Sequence, residues 1–325
     1  EKLQHYKDWI FRRSAYQMAM AIIGIDKQTV APSAGAAYRD ERSAYLAGEL
    51  FSIETDPAMV QLLKELKDDP QIDGDNKRAI ELYYKQAMDT MCIPKEEFVA
   101  YQKLRDESFD AWIKAKSQSD YSIFEPYLKK IIEVSKKLYR YRNSDKNLYD
   151  QMLDDYEPGM TQEKYDVFFT ALKERLVPLI QKVTKAKQKN EAFLHQEFPI
   201  EDQKKFMIQL LAYLHFDSSW GYQNESEHPF TSWTCENDCR TTTKYVTNDV
   251  VSAVLSTVHE VGHAYYEHNV DPKYDGMILS EGISSGMHES QSRLCENYLA
   301  RTTAFWKYHY PKLQETFPTQ LGNVS

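Results

Sequence analysis

From Lys2 to about His215, apolar side chains recur at three- and four-residue spacing with almost no interruption, and glycine is scarce, with 11 in 325 residues. That period belongs to helices with one buried face, whereas strands alternate every second residue. The chain is therefore expected to be mainly α. Pro32, Pro57, Pro94 and Pro126 mark helix boundaries, because proline fits a first helical turn but disrupts an interior one. The tract Glu157-Pro158-Gly159-Met160-Thr161 opens another long helix, and charged runs such as Lys182 to Lys189 read as solvated faces.

The character changes between about Asn224 and Tyr245, where Thr, Ser, Trp, Cys and Asn replace helix formers and a small sheet or hairpin is expected. Helix then resumes. Thr247, Asn248 or Asp249 is its cap, Val250 to about His268 its body, and a further helix runs from about Ser284 past Ala300. Two regions follow from this reading, a helical region 1–225 and a region 226–325.

A hydrophobic share of 42% and a charged share of 27% suit a soluble globular protein. The net charge of −9 opposes nucleic acid as the main partner, since phosphate binding needs a clustered positive surface. No stretch approaches the roughly 20 apolar residues that a membrane span requires. Arg12 and Arg13 precede the apolar run Ala15 to Ile25 in the manner of an export signal. Gln17 and Asp26-Lys27-Gln28 interrupt that run, however, and Trp9, Ile10 and Phe11 already read as helix. Cysteines at 92, 235, 239 and 295 are too scattered for a disulfide framework, and reduced thiols in a cytoplasmic protein are the expectation.

Within the helix after Asp249 lies His259-Glu260-Val261-Gly262-His263. Residues four apart share a face about 6 Å apart along the axis, so both imidazoles can reach one ion. Glu260 is turned roughly 100° from His259 and can reach a water there without becoming a ligand. Val251, Leu255, His259 and His263 form one line, which reads as an apolar stripe carried inward. Gly262 in mid-helix implies a close approach by another segment. A catalytic zinc takes three protein ligands, and Glu281, Glu289 and Glu296 compete for the third place. Spacing alone does not choose among them.

The tract Ser284-Ser285-Gly286-Met287-His288-Glu289-Ser290-Gln291 resembles the His-Glu-Ser-Gln motif of the thermostable, carboxypeptidase Taq family of zinc metallocarboxypeptidases. His228-Pro229-Phe230 is similar to that family's HPF motif, and Asp238-Cys239-Arg240-Thr241-Thr242 to its DxRxT motif, in the same order. The likeness runs weakly through Trp112, Ala115-Lys116, Asp120 to Pro126 and Tyr156 to Thr161, and so covers essentially the whole chain. Ile25 departs from the tryptophan usual before Asp26. The family's later IRxxAD and GxxQDxHW motifs have no counterpart before Ser325, so a companion C-terminal fragment is expected.

The resemblance implies a helical zincin-type fold with a deep groove and a small β-sheet beside the metal site. It implies Glu289 as the third ligand with His259 and His263, and zinc as the cofactor, with cobalt able to substitute. It further implies a homodimer that acts on peptides with a free C-terminus. Glu260 would activate the water. His228, Tyr245 and His288 are candidates to face substrate. Arg240 offers a planar fork for the terminal carboxylate, with a salt bridge to Asp238 as its rival role. Two other readings stay open: an oligopeptidase or endopeptidase of the same type, and a non-catalytic peptide-binding fragment.

Overall fold

Helices occupy most of the chain, as the spacing predicts, in a computed structural model that describes residues 1–142 and 144–324. Contacts gather these residues into two units, Glu1–Leu148 with Thr234–Glu236 and Val270–Glu281, and Tyr149–Trp233 with Asn237–Asn269 and Gly282–Ser325. Composition suggested a division at 225/226. That position lies inside the second of these units.

The first unit holds α1 (Lys2–Thr29), α2 (Ala36–Glu54), α3 (Pro57–Asp68), α4 (Gly74–Met91), α5 (Lys95–Gln118) and α6 (Glu125–Arg140). Its core takes residues three apart from successive helices: Tyr6 and Trp9, Leu63 and Leu66, Ile80 and Tyr83. The Trp9 indole donates to Ile53 O at 2.9 Å, so the ring is buried with its polar atom satisfied. One turn on, Arg13 is 2% exposed and its Nε donates to Glu54 Oε1 at 2.7 Å. Asp56 starts α3 by accepting from Ala58 N, with Pro57 in the first turn.

The second unit holds α7 (Leu148–Tyr156), α8 (Gln162–Lys185), α9 (Ile200–Tyr213), strands β1 (Gly221–Glu225), β2 (Thr231–Cys235) and β3 (Asp238–Thr243), then α10 (Val250–His268). After it come α11 (Ser285–Arg293), a π-helical turn over Leu294–Ala300, α12 (Thr303–Thr316) and α13 (Pro318–Leu321). The strands order as β1-β3-β2, with β1 parallel to β3 and Gly221 opposite Cys239. Phe206 and Leu210 of α9, Val254 and Val258 of α10, and Phe305 and Leu313 of α12 build the core. Helix α8 departs from the inward pattern. Phe169, Leu172, Leu176, Leu179 and Val183 keep helical spacing yet are all exposed. No helix among the described residues is long and apolar enough to cross a membrane.

Candidate metal centre

Helix α10 begins where Asp249 Oδ1 accepts from Ser252 N at 3.0 Å. Ala253, Val254, Thr257, Val258, Val261 and Ala264 are its buried face. In the line Val251, Leu255, His259 and His263, the two apolar residues pack against the core as the spacing suggested, while the whole line also faces a cleft. The line is half-buried and walls this cleft of about 960 Å³, because the small and β-branched residues already fill the core side.

Helix α11 faces this wall. Ser284 caps it by accepting from Met287 N at 3.1 Å, and Gly286 N donates to Glu157 Oε2 at 3.0 Å, placing a carboxylate at the positive end of the helix. Gly262 explains the close packing: a Cβ there would lie 2.8 Å from Ser292 Cα and 3.0 Å from Gln291 O. Glu289 is thereby brought to the histidines, with Oε2 3.6 Å from His259 Nε2 and 3.3 Å from His263 Nε2. Tetrahedral ligands at zinc distances are separated by about 3.4 Å, so the triangle has the right size for one ion. Two imidazole nitrogens and a carboxylate oxygen also suit a borderline divalent metal. The donor set therefore fits the group that the sequence pattern implies.

Each histidine is held from behind. His259 Nδ1 lies 3.0 Å from Glu296 Oε2, and Glu296 in turn accepts from Arg293 Nη1 at 2.8 Å and Arg301 Nη2 at 2.6 Å. Glu296 sits in the π-helical turn, a distortion frequent at functional sites. His263 Nδ1 lies 2.6 Å from His288 Nδ1, whose other nitrogen is 2.7 Å from the buried Glu267. Glu260 is 6% exposed, and Thr231 Oγ1 donates to its Oε2 at 2.7 Å.

Burial raises the Glu260 carboxyl above the usual range, against the opposing Thr231 hydrogen bond. Burial and the neighbouring His288 and His259 push His263 down to about 4, favouring the neutral ring that binds metal. Burial also pushes Glu289 up, but the Arg293 hydrogen bond and His259 outweigh it and leave the carboxyl below its ordinary value. Glu296 is lowered in the same way, burial being outweighed by Arg301 and His259.

Of the three competing acids, Glu289 meets both Nε2 atoms and Glu296 meets the back of His259. Glu281 belongs to the first unit, 4.0 Å from Arg13. His228 and His288 line the cleft. Arg240 does not, and its fork is bound by Asp238 through Nε at 2.7 Å and Nη2 at 2.8 Å. Tyr245 also lies outside the lining and packs on the core, where burial pushes its hydroxyl up to about 12. Sequence reasoning passed over Thr231 and Glu267. Glu267 had a signal, since it follows His263 by one helical turn.

A family profile described as carboxypeptidase Taq (M32) metallopeptidase matches residues 5–325. Carboxypeptidase 1 of Bacillus subtilis is 36% identical over 99% of this chain and 65% of its own length. Thermostable carboxypeptidase 1 of Thermus thermophilus is 30% identical over 97% of this chain and 64% of its own. The crystal structure of a protein designated BsuCP superposes with a TM-score of 0.96 at 36% identity, over all of this chain and 66% of that one. An M32 carboxypeptidase from Deinococcus radiodurans gives 0.89 at 30% identity, over all of this chain and 65% of that one. This chain thus spans about 65% of the length of the curated relatives it matches. With the match running from residue 5 to residue 325 and the fold shared throughout, the chain belongs to the carboxypeptidase Taq (M32) metallopeptidase family.

Proposed function

We propose that this chain carries the metal centre of a zinc carboxypeptidase that removes the last residue from peptides with a free C-terminus. The observation that carries the reading is the triangle of His259 Nε2, His263 Nε2 and Glu289 Oε2 on one cleft wall, with the buried carboxylate of Glu260 beside it. His259, His263 and Glu289 hold the ion, zinc by donor chemistry, with cobalt accepted by the same set. Bound there, a divalent ion supplies Lewis acidity toward a peptide carbonyl and lowers the pKa of water.

The remaining chemistry is the chain's own. Thr231 occupies Glu260 Oε2, which orients the carboxylate and leaves Oε1 to take the proton of an attacking water. Burial keeps the Glu260 carboxyl raised, so that it can later return that proton to the leaving amine near neutral pH. His228 lines the same cleft and offers a donor toward the developing oxyanion. Arg293 and Arg301 also line it, half-exposed, with Arg293 bound to Glu289 and Glu296 and Arg301 bound to Glu296. A homodimer, and a cytoplasmic location in keeping with its free cysteines, are parts of the same proposal.

The test is release of the terminal residue from an N-blocked dipeptide, beside the same peptide amidated at its C-terminus. Release from the free acid alone, abolished in Glu260→Gln, supports the reading. Equal cleavage of the amidated peptide makes the protein an endopeptidase instead.

A further inference from the structure

We infer that His288 and Glu267 are positioning residues that fix His263 in the one tautomer able to bind metal. The inference rests on the metal reading above and concerns groups which that reading leaves without a role. Glu267 is 2% exposed and its Oε1 lies 2.7 Å from His288 Nε2. An ionised carboxylate only accepts, so a His288 that holds a single proton carries it on Nε2 and presents a lone pair at Nδ1. That lone pair lies 2.6 Å from His263 Nδ1, which must therefore carry the hydrogen and donate. A neutral His263 protonated at Nδ1 has its free lone pair at Nε2, the atom 3.3 Å from Glu289. The order Glu267, His288, His263 thus points every proton away from the metal position. The opposite order would place an N–H where the ion belongs.

The relay is built rather than incidental, because the His288 ring has no freedom to turn. A Cβ on residue 282 would lie 2.7 Å from His288 Cδ2, so only glycine leaves room there. Trp233 lies against one side of the ring at 5.4 Å between centroids, and Tyr266 meets it edge-on at 5.0 Å. The two metal histidines are therefore held by different means, His259 by a carboxylate clamped between two arginines and His263 by an imidazole backed by a buried carboxylate. Removing such an outer partner typically costs 10–100-fold in metal affinity.

Side-chain nitrogen NMR of the histidine-labelled, metal-free protein reads the tautomers directly, and chelator competition reads zinc affinity. We expect His263 protonated at Nδ1 and His288 at Nε2. His288→Ala, which leaves the His263 N–H without its acceptor, should weaken zinc by about 10–100-fold. His288→Asn, whose Oδ1 can stand near the position of Nδ1, should stay within about threefold of the unaltered chain. His263 protonated at Nε2 overturns the inference, as does zinc affinity unchanged in His288→Ala or lost equally in both variants. A folded chain that binds no zinc refutes the metal reading instead, and the tautomer measurement then decides the relay alone.

Discussion

Adding one methyl group to Gly262 should do the reverse of what alanine usually does in a helix. In an open helix interior, Gly→Ala gains about 1 kcal/mol. Gly24, in the middle of α1, has nothing within 4 Å of its Cβ position, so Gly24→Ala should stabilise the first unit by about that amount. At Gly262 the new Cβ would stand 2.8 Å from Ser292 Cα, 3.0 Å from Gln291 O and 3.1 Å from Cys295 Cβ. Carbon contacts want at least about 3.5 Å, so α10 and α11 must part by roughly 0.7 Å. Two of the three obstacles are backbone and cannot rotate away. Overpacking of this kind costs about 1–3 kcal/mol, which leaves Gly262→Ala destabilised by up to about 2 kcal/mol after the helix gain. The same parting moves Glu289 on α11 away from both histidines. Their present 3.3 and 3.6 Å separations, which straddle the roughly 3.4 Å edge of a tetrahedral site, would both move well past it, and zinc should bind at least tenfold more weakly. Urea unfolding and chelator competition on the two variants provide the assay. A Gly262→Ala chain that gains stability as Gly24→Ala does, with zinc affinity intact, would refute the packing argument.

Other expectations follow from charge and burial. Arg13→Met strands Glu54, whose side chain is only 15% exposed, and should cost about 3 kcal/mol at pH 8, less in Arg13→Met/Glu54→Leu, as read by urea unfolding. Glu54 already has a raised pKa through burial, so the single variant's deficit should shrink as pH falls and the carboxyl takes a proton. Asp275 is pushed up to about 6 by burial and by Glu236, so the folded chain holds more protons than the unfolded one from about pH 4 to 6, and stability falls as pH rises through that window. Asp275→Asn should thus raise the melting temperature above pH 6 and leave it unchanged below pH 4. Thr231→Val removes the hydrogen bond that lowers Glu260, so the acid limb of kcat/KM should move to higher pH.

The sequence made the helices legible because their apolar spacing is regular, and it placed the body of α10 at Val250 to about His268 while leaving Thr247, Asn248 and Asp249 as caps, of which Asp249 caps the helix. The glycine at 262 announced a close approach that the packing on Ser292 explains. What spacing hid was the cleft. Val251, Leu255, His259 and His263 read as core, and Val251 and Leu255 do pack against it, but the neighbouring Val254, Val258 and Val261 take the buried side and leave the whole line facing the cleft as well. For Arg240 the sequence left two roles open, a substrate carboxylate or Asp238, and the structure closes its fork on Asp238 two residues away. Glu267 was passed over because the sequence does not show that α11 brings His288 against it and that it is buried. The π-helical turn that carries Glu296 to His259 has no propensity signature in Leu294–Ala300.

The central claim is that His259, His263 and Glu289 form one metal site served by Glu260. Equilibrium dialysis against zinc, run on the unaltered chain, His263→Ala and Glu260→Gln with folding checked by circular dichroism, tests it most directly. One zinc per chain in the unaltered protein and in Glu260→Gln, with tight binding lost in His263→Ala, is the predicted result. A folded chain that takes up no zinc, or that binds it equally well after His263→Ala, would contradict the account.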